Sequence, residues 1–327
     1  MSKLHSLLSL LLFLFLVACG PVPAGRPDEK ALEHVDIGIG FVPNVQFAPF
    51  YVAQAEGFYA EEGLEVALEY GFENDFVALT AQGERQFTVA SGDQVILGRA
   101  QGLPLVYVMK WYQRFPVGIM ALAETGIEDP AGLAQKSVGI PGMFGASFAA
   151  WKALVYATGL DESQVNLEEI GFTQAAAVSE GQVDAAVVYL ANEPVQLAAA
   201  GKTVNTIEVS EYIDLVSNGL VTNETVLQEN PDLVRRLVRG TLRGLQFTID
   251  NPERAFEISR QVIPEMTDAD APIQKQVLER SVELWRSTSL GLSSPQSWST
   301  SADFMLQAGM IEQAVEVEGL YTNEFVE

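Results

Sequence analysis

Histidine and cysteine are nearly missing from this chain of 327 residues. His5, His34 and Cys19 are the only ones, and all three lie in the first 34 residues. Beyond His34 the chain cannot build a Ser-His-Asp triad, a cysteine nucleophile, a thiolate zinc site or an internal disulfide. Carboxylate, lysine or tyrosine chemistry survives that filter. Basic residues are also scarce: 19 Lys and Arg stand against 43 Asp and Glu, a formal net charge of −24 at pH 7. Duplex affinity comes largely from Lys and Arg neutralising phosphates, so nucleic acid is a poor partner for this chain and a small molecule or another protein a better one. No GxGxxG or GxxxxGKS run occurs, which leaves a phosphate loop unsupported. No internal repeat of about 20 to 50 residues is evident, which weakens a solenoid or propeller reading.

What is present is a globular composition. With 48% hydrophobic and 19% charged residues, the chain can bury a sizeable core in about two domains, and disordered or collagen-like classes are excluded. Residues 1–18 have the parts of a secretory signal: Lys3, an apolar run from Leu7 to Val17, then small residues before Cys19. The run is short of the roughly 20 residues a membrane span needs. Its end, Leu16-Val17-Ala18-Cys19-Gly20, resembles the bacterial lipobox, in which the cysteine is acylated and becomes the mature N-terminus. A plain signal peptide with an incidental cysteine is the alternative. Residues 19–34 are rich in Pro, Gly and charge and read as a flexible tether. The expectation is a soluble body, from about Val35, held by lipid on the extracytoplasmic face of a cell membrane.

In that body, short β-rich runs alternate with helical patterns: 35–42, 64–70, 86–91, 105–111, 116–122, 137–142, 185–190 and 220–223. Such alternation predicts an α/β fold with mainly parallel sheets, and several of the runs are continuously apolar, as strands covered by helices on both faces should be. Beyond Asn223 the pattern turns helical. Asn230 caps and Pro231 opens a helix with the stripe Leu233, Leu237, Val238, Leu242 and Leu245. A later helix places Ile273, Val277, Ser281, Leu284 and Trp285 on one side. Arg235, Arg236, Arg239 and Arg243 lie off the first stripe and read as a solvated, carboxylate-paired face rather than a docking patch.

In parallel sheets ligands bind beyond the carboxyl ends of strands, so the segments that follow strands are the candidates. After the first strand come Asn44, whose amide offers a donor and an acceptor, and Phe47; an Asx turn and core packing are the competing readings. Ser91 and Asp93 close another strand at a helix start, where Asp93 as a helix cap reads equally well. Trp111, Tyr112 and Phe115 cluster between two strands as a stacking wall for a flat ligand or as a core patch. Gly142, Met143, Phe144, Gly145, Ala146 and Ser147 form a turn into a helix, where glycines let a ligand approach the backbone and free N–H groups can meet an oxygen. Tyr189, Asn192 and Glu193 follow a buried strand. A carboxylate there would accept hydrogen bonds from ring N–H or amino groups and repel anions, unless it only serves a helix start.

Together these segments resemble the solute-binding proteins of ABC importers related to thiamine pyrimidine synthesis proteins. The resemblance runs from about Val35 to Glu265 and is carried by GFVPNVQFAPFYVAQAEGFYAEEGLEV, ASGDQVILGRAQGLPLVYV, GIPGMFGAS, GFTQAAAVSEGQVDAAVVY with NEP, and SNGLVTN followed by NPDLVRRLVRG. It implies a two-lobed type II periplasmic-binding-protein fold, with lobe I at 35–115 plus 218–327, lobe II at 116–217, and a ligand held in the cleft as the lobes close. It implies an ABC permease and its ATPase as partners and no cofactor. The family also contains pyrimidine-synthesising enzymes, but Ser91 and Val95 stand where their active lysine and histidine would be, and SNGLV (217–221) replaces their cysteine motif. That favours transport over synthesis. Glu193 argues against an anionic ligand. Among members that bind riboflavin or a thiamine pyrimidine precursor (formylaminopyrimidine or hydroxymethylpyrimidine), the ring count of Trp111, Tyr112, Phe115, Phe144 and Tyr189 tilts toward the tricyclic flavin.

Overall fold

Two five-stranded sheets organise the protein, each with four strands running one way and one strand against them. The computed structural model describes residues 31–326. The leader, Cys19 and all but the last residues of the tether lie outside the described residues. Along the chain run β1 (Glu33–Ile39), α1 (Ala48–Ala55), α2 (Phe58–Glu61), β2 (Leu64–Tyr70), α3 (Glu73–Gln82), β3 (Phe87–Ser91), α4 (Gly92–Ala100) and β4 (Leu105–Lys110). There follow β5 (Val117–Leu122), β6 (Ser137–Ile140), α5 (Gly145–Thr158), β7 (Asn166–Glu169), α6 (Gln174–Ser179), β8 (Ala185–Tyr189), α7 (Glu193–Ala199) and β9 (Val204–Glu208). The chain then returns through β10 (Asn218–Asn223) and ends in α8 (Glu224–Glu229), α9 (Pro231–Asp250), α10 (Pro252–Val262), α11 (Ala271–Trp285) and α12 (Pro295–Gln307).

The first sheet has the order β2-β1-β3-β10-β4 and the second β7-β6-β8-β5-β9. In each, the strand that runs against its neighbours, β10 or β5, is the one that enters just after the chain crosses from the other sheet. The sheets are therefore mixed, with two parallel and two antiparallel strand pairs in each. Strands β3, β5 and β10 are buried along their whole length, and β5 is the uninterrupted apolar run expected under helices. Strand β2 sits at an edge and alternates between buried and exposed positions over its first residues.

Two strands that the sequence did not reveal, β7 and β9, are the outer strands of the second sheet. Their residues NLEE and VNTIE are polar and mostly part-exposed, so neither hydrophobic alternation nor an apolar run marks them. The C-terminal helices follow the expected pattern. Asn230 accepts from the Leu233 N–H at the start of α9, and Leu233, Leu237, Val238 and Leu245 are buried. The α9 arginines are ion-paired: Arg236 with Glu33 at 2.6 Å and Asp232 at 2.8 Å, Arg239 with Glu62 at 3.0 Å, Arg243 with Glu61 at 2.6 Å, and Arg235 with Glu324 at 3.9 Å. One aromatic-rich core packs α1, α9 and α11 against the first sheet, and another runs through α4, α5 and α12. From Leu32 onward the chain forms one compact unit, and no helix among the described residues is long and apolar enough to cross a membrane.

Candidate functional site

The carboxyl ends of the parallel strands in both sheets open on one cleft. Each sheet supplies one wall through the residues that follow its strands. From the first sheet come Gly40 and Phe41 after β1, Gln46 and Phe47 beyond them, Phe72 and Glu73 after β2, Val89 on β3, Trp111 and Tyr112 after β4, and Asn218 at the start of β10. From the second come Pro141 and Phe144–Ser147 after β6, Phe172 and Gln174 after β7, and Tyr189, Asn192 and Glu193 after β8. Such convergence is what an open α/β sheet provides for a ligand.

The aromatic wall is set deep. Trp111 is only 3% exposed, with ring centroids 5.5 Å from Phe47, 5.4 Å from Phe50, 4.8 Å from Tyr112 and 5.9 Å from Trp285. Its indole Nε1 is buried and meets no acceptor in the described structure. Tyr112 donates from its hydroxyl to Gln46 Oε1 at 3.3 Å, and its ring lies 6.5 Å from that of Tyr189. The Tyr189 hydroxyl donates in turn to Asn218 Oδ1 at 3.4 Å, which links the two walls. Near the mouth a second set of rings meets: Phe41 and Phe172 at 5.0 Å, Phe72 and Phe172 stacked at 6.2 Å, Phe72 and Phe144 edge-on at 6.2 Å. These three contacts also pair a residue of one wall with a residue of the other.

Two carboxyl groups face this aromatic space. Glu193 is the first residue of α7; its Oε2 accepts from the Tyr189 N–H at 3.0 Å and its Oε1 from Asn192 Nδ2 at 3.1 Å. Burial outweighs those bonds and lifts its pKa to about 7. Glu73 opens α3, and its Oε1 accepts from both the N–H and the hydroxyl of Ser91 at 2.7 Å. Burial first, and then the charge of nearby Asp93, pushes Glu73 upward as well. No Lys, Arg or His among the described residues lines the cleft. Among the described residues there is also no cluster of three His, Cys, Asp or Glu that could hold a metal ion.

Ten of the sequence-derived candidates line this cleft: Phe47, Trp111, Tyr112, Phe144, Gly145, Ala146, Ser147, Tyr189, Asn192 and Glu193. Six do not line it. Asn44 makes an Asx turn, accepting from the Gln46 N–H at 3.0 Å, while its own N–H donates to the Tyr51 hydroxyl. Ser91 is buried behind the wall and serves Glu73. Asp93 lies in the first turn of α4, where Oδ2 accepts from Gln94 Nε2 at 3.0 Å and burial raises its pKa. Phe115 precedes β5 and packs into the core with Val117 and Ile119. Gly142 sits against Phe144, whose ring a Cβ there would meet at 2.4 Å, and Met143 is exposed. The proposed lipid attachment at Cys19 lies outside the described residues.

Several lining residues escaped the sequence reading. Gln46, Glu73, Gln174 and Asn218 are polar groups in unremarkable local contexts. Phe41, Phe72 and Phe172 did carry a signal: each follows a glycine at the end of a parallel strand, as Gly40-Phe41 after β1, Gly71-Phe72 after β2 and Gly171-Phe172 after β7.

Comparisons with known proteins agree with this geometry. The profile of the NMT1/THI5-like family matches residues 44–255. The chain is 40% identical to the riboflavin-binding protein RibY of Chloroflexus aurantiacus, across 100% of this chain and 99% of that one. It is 30% identical to the formylaminopyrimidine-binding protein of Halalkalibacterium halodurans, across 98% and 99% of the two chains. In fold it is similar to the alkanesulfonate-binding protein SsuA from Xanthomonas axonopodis pv. citri bound to MOPS, with a TM-score of 0.71 at 14% identity over 89% of this chain and 98% of that one. The architecture is thus a two-sheet periplasmic-binding-protein fold.

Proposed function

Since the chain belongs to the NMT1/THI5-like family, we propose that it is the lipid-anchored solute-binding component of an ABC importer, and that it captures riboflavin outside the membrane and delivers it to a permease. The observation that carries this reading is the composition of the cleft. Rings lie deep in it and at its mouth, amides and tyrosine hydroxyls stand between, and a carboxylate at Glu193 can accept from ring N–H groups. A flat, uncharged heterocycle with N–H donors complements such a lining. Identity of 40% to a riboflavin-binding protein along the whole chain supports the flavin in particular. The two halves, 35–115 with 218–327 and 116–217, would close over it by hinge motion. Cys19 would carry the acyl group, and the body would stand on the extracytoplasmic face.

A second ligand has support of its own, because the 30% identical relative is named for formylaminopyrimidine. Calorimetric titration of the mature chain lacking Cys19 with both compounds decides between them. We expect tight one-to-one binding of riboflavin and weaker binding of the pyrimidine; the reverse order would transfer the assignment to the precursor. The reading also makes the protein a carrier and not an enzyme. Ser91 is engaged by Glu73 and Val95 is buried in the core, so neither offers the lysine or histidine chemistry of the pyrimidine synthases. Borohydride treatment with pyridoxal phosphate should leave no trapped adduct in the cleft, and a stoichiometric adduct there would restore the enzyme reading.

A further inference from the structure

We infer that the cleft selects the uncharged heterocycle over its phosphate ester, and that Glu73 is the residue that enforces the choice. This rests on the reading of the ligand given above and adds the form in which it is taken. Helix N-termini receive anions through unpaired N–H groups and the positive end of the helix dipole. Four helices begin at this cleft, at Glu73, Gly145, Gln174 and Glu193, and at all but the six-residue α6, which opens on Gln174, the chain already supplies a carboxylate. Glu73 opens α3 and Glu193 opens α7. For α5, the 14-residue helix that would be the natural anion seat, the carboxylate comes from the opposite wall. Gly145, with φ +63, is the first residue of α5, and a Cβ on it would lie 3.0 Å from Glu73 Oε2.

Glu73 is held there. Both bonds from Ser91 end on Oε1, which leaves Oε2 toward Gly145. Since no Lys, Arg or His among the described residues lines the cleft, a phosphate entering it would give up water, meet two carboxyl groups and find no cation among them. A hydroxyl or ring N–H in the same place would instead donate to Glu73. The glycine at 145 is what allows the carboxylate to come so close to the helix start.

The test is equilibrium titration at pH 8 of the mature chain lacking Cys19 with riboflavin and with riboflavin 5′-phosphate, for the wild type and for Glu73→Gln. The substitution keeps an oxygen for Ser91 to donate to, and a melting curve of each protein checks folding. The wild type should prefer the unphosphorylated compound by about a hundredfold, and Glu73→Gln should narrow that ratio about tenfold, chiefly by binding the ester more tightly. Wild-type affinities within about threefold of each other, or a ratio untouched by Glu73→Gln, would overturn the inference. If riboflavin itself does not bind, the flavin reading fails, and the same ratio is read on 4-amino-5-hydroxymethyl-2-methylpyrimidine and its phosphate. Preference for the alcohol, reduced by Glu73→Gln, supports the inference there, and equal binding of the two overturns it.

Discussion

The two walls of the cleft are built differently. On the first-sheet side Trp111 is sunk among Phe47, Phe50, Tyr112 and Trp285, so its ring is as much core as binding surface. On the second-sheet side Phe144 and Phe172 remain 36% and 45% exposed, and their ring contacts are with Phe72 and Phe41 at the mouth. The deep aromatic cluster of the first wall is fixed by folding before any ligand arrives. The rings at the mouth, Phe144 and Phe172 of the second wall with Phe72 of the first, itself 53% exposed, keep apolar surface in water that a bound ligand can cover. Preorganisation of the first wall lowers the ordering cost of binding, while coverage of the second couples binding to closure.

The largest effect should come from breaking the first wall. Trp111→Ala removes a buried ring from the core and from the cleft together, at about 3 to 5 kcal/mol of stability, and should weaken riboflavin binding about tenfold or more. Denaturant unfolding and calorimetry measure the two losses. A variant as stable as the parent would show that the wall is not part of the core. Next is Glu193→Gln, which should cost about tenfold in affinity through loss of a charge-assisted hydrogen bond, with calorimetry again the measure. Binding at wild-type strength would remove Glu193 from the recognition scheme.

The second wall should respond to ligand and not to denaturant. Phe172→Ala is expected to lower affinity severalfold while changing stability by no more than about 0.5 kcal/mol, as for an exposed residue. Stability that falls as far as in Trp111→Ala would erase the contrast between the walls. The smallest effect belongs to the far side of α9: Arg239→Ala breaks an exposed ion pair with Glu62, worth about 1 kcal/mol or less, and should leave binding unchanged.

Proton linkage sharpens the same comparison. Glu193 has a folded-state pKa of about 7, above its ordinary value of 4.5. The folded state therefore holds the proton more firmly, and the stability this gives is fully present below about pH 4.5 and lost as pH rises through about 7. The unliganded protein should melt lower at pH 8 than at pH 5.5, and Glu193→Gln should remove part of that difference. A wild-type melting temperature that rises between those two values of pH would contradict the burial of an ionising Glu193.

How much of this was legible in the sequence follows from burial. Strands β4, β5 and β8 and most of β3 are apolar because helices cover both faces, and apolar runs are what sequence patterning detects. The outer strands β7 and β9 are held by backbone pairing to β6 and β5 with little apolar burial, and their polar sequences hide them. At the site, Trp111, Tyr189 and Glu193 stood out because a ring or an acid immediately after a buried strand is conspicuous. Glu73 did not: its partners Ser91 and Gly145 are 18 and 72 positions away, and only the fold brings them together. Phe115 adjoins Trp111 and Tyr112 in sequence, while the turn into β5 carries it into a different core. The Gly-Phe pairs after β1, β2 and β7 were readable but repeat at irregular intervals, so they became a pattern only once the strands were placed.

The most direct test of a flavin-binding cleft is the visible absorption spectrum of the purified mature chain lacking Cys19, taken after incubation with riboflavin and removal of free ligand. The account predicts a retained flavin band in stoichiometric amount with the protein. A spectrum without that band would contradict it.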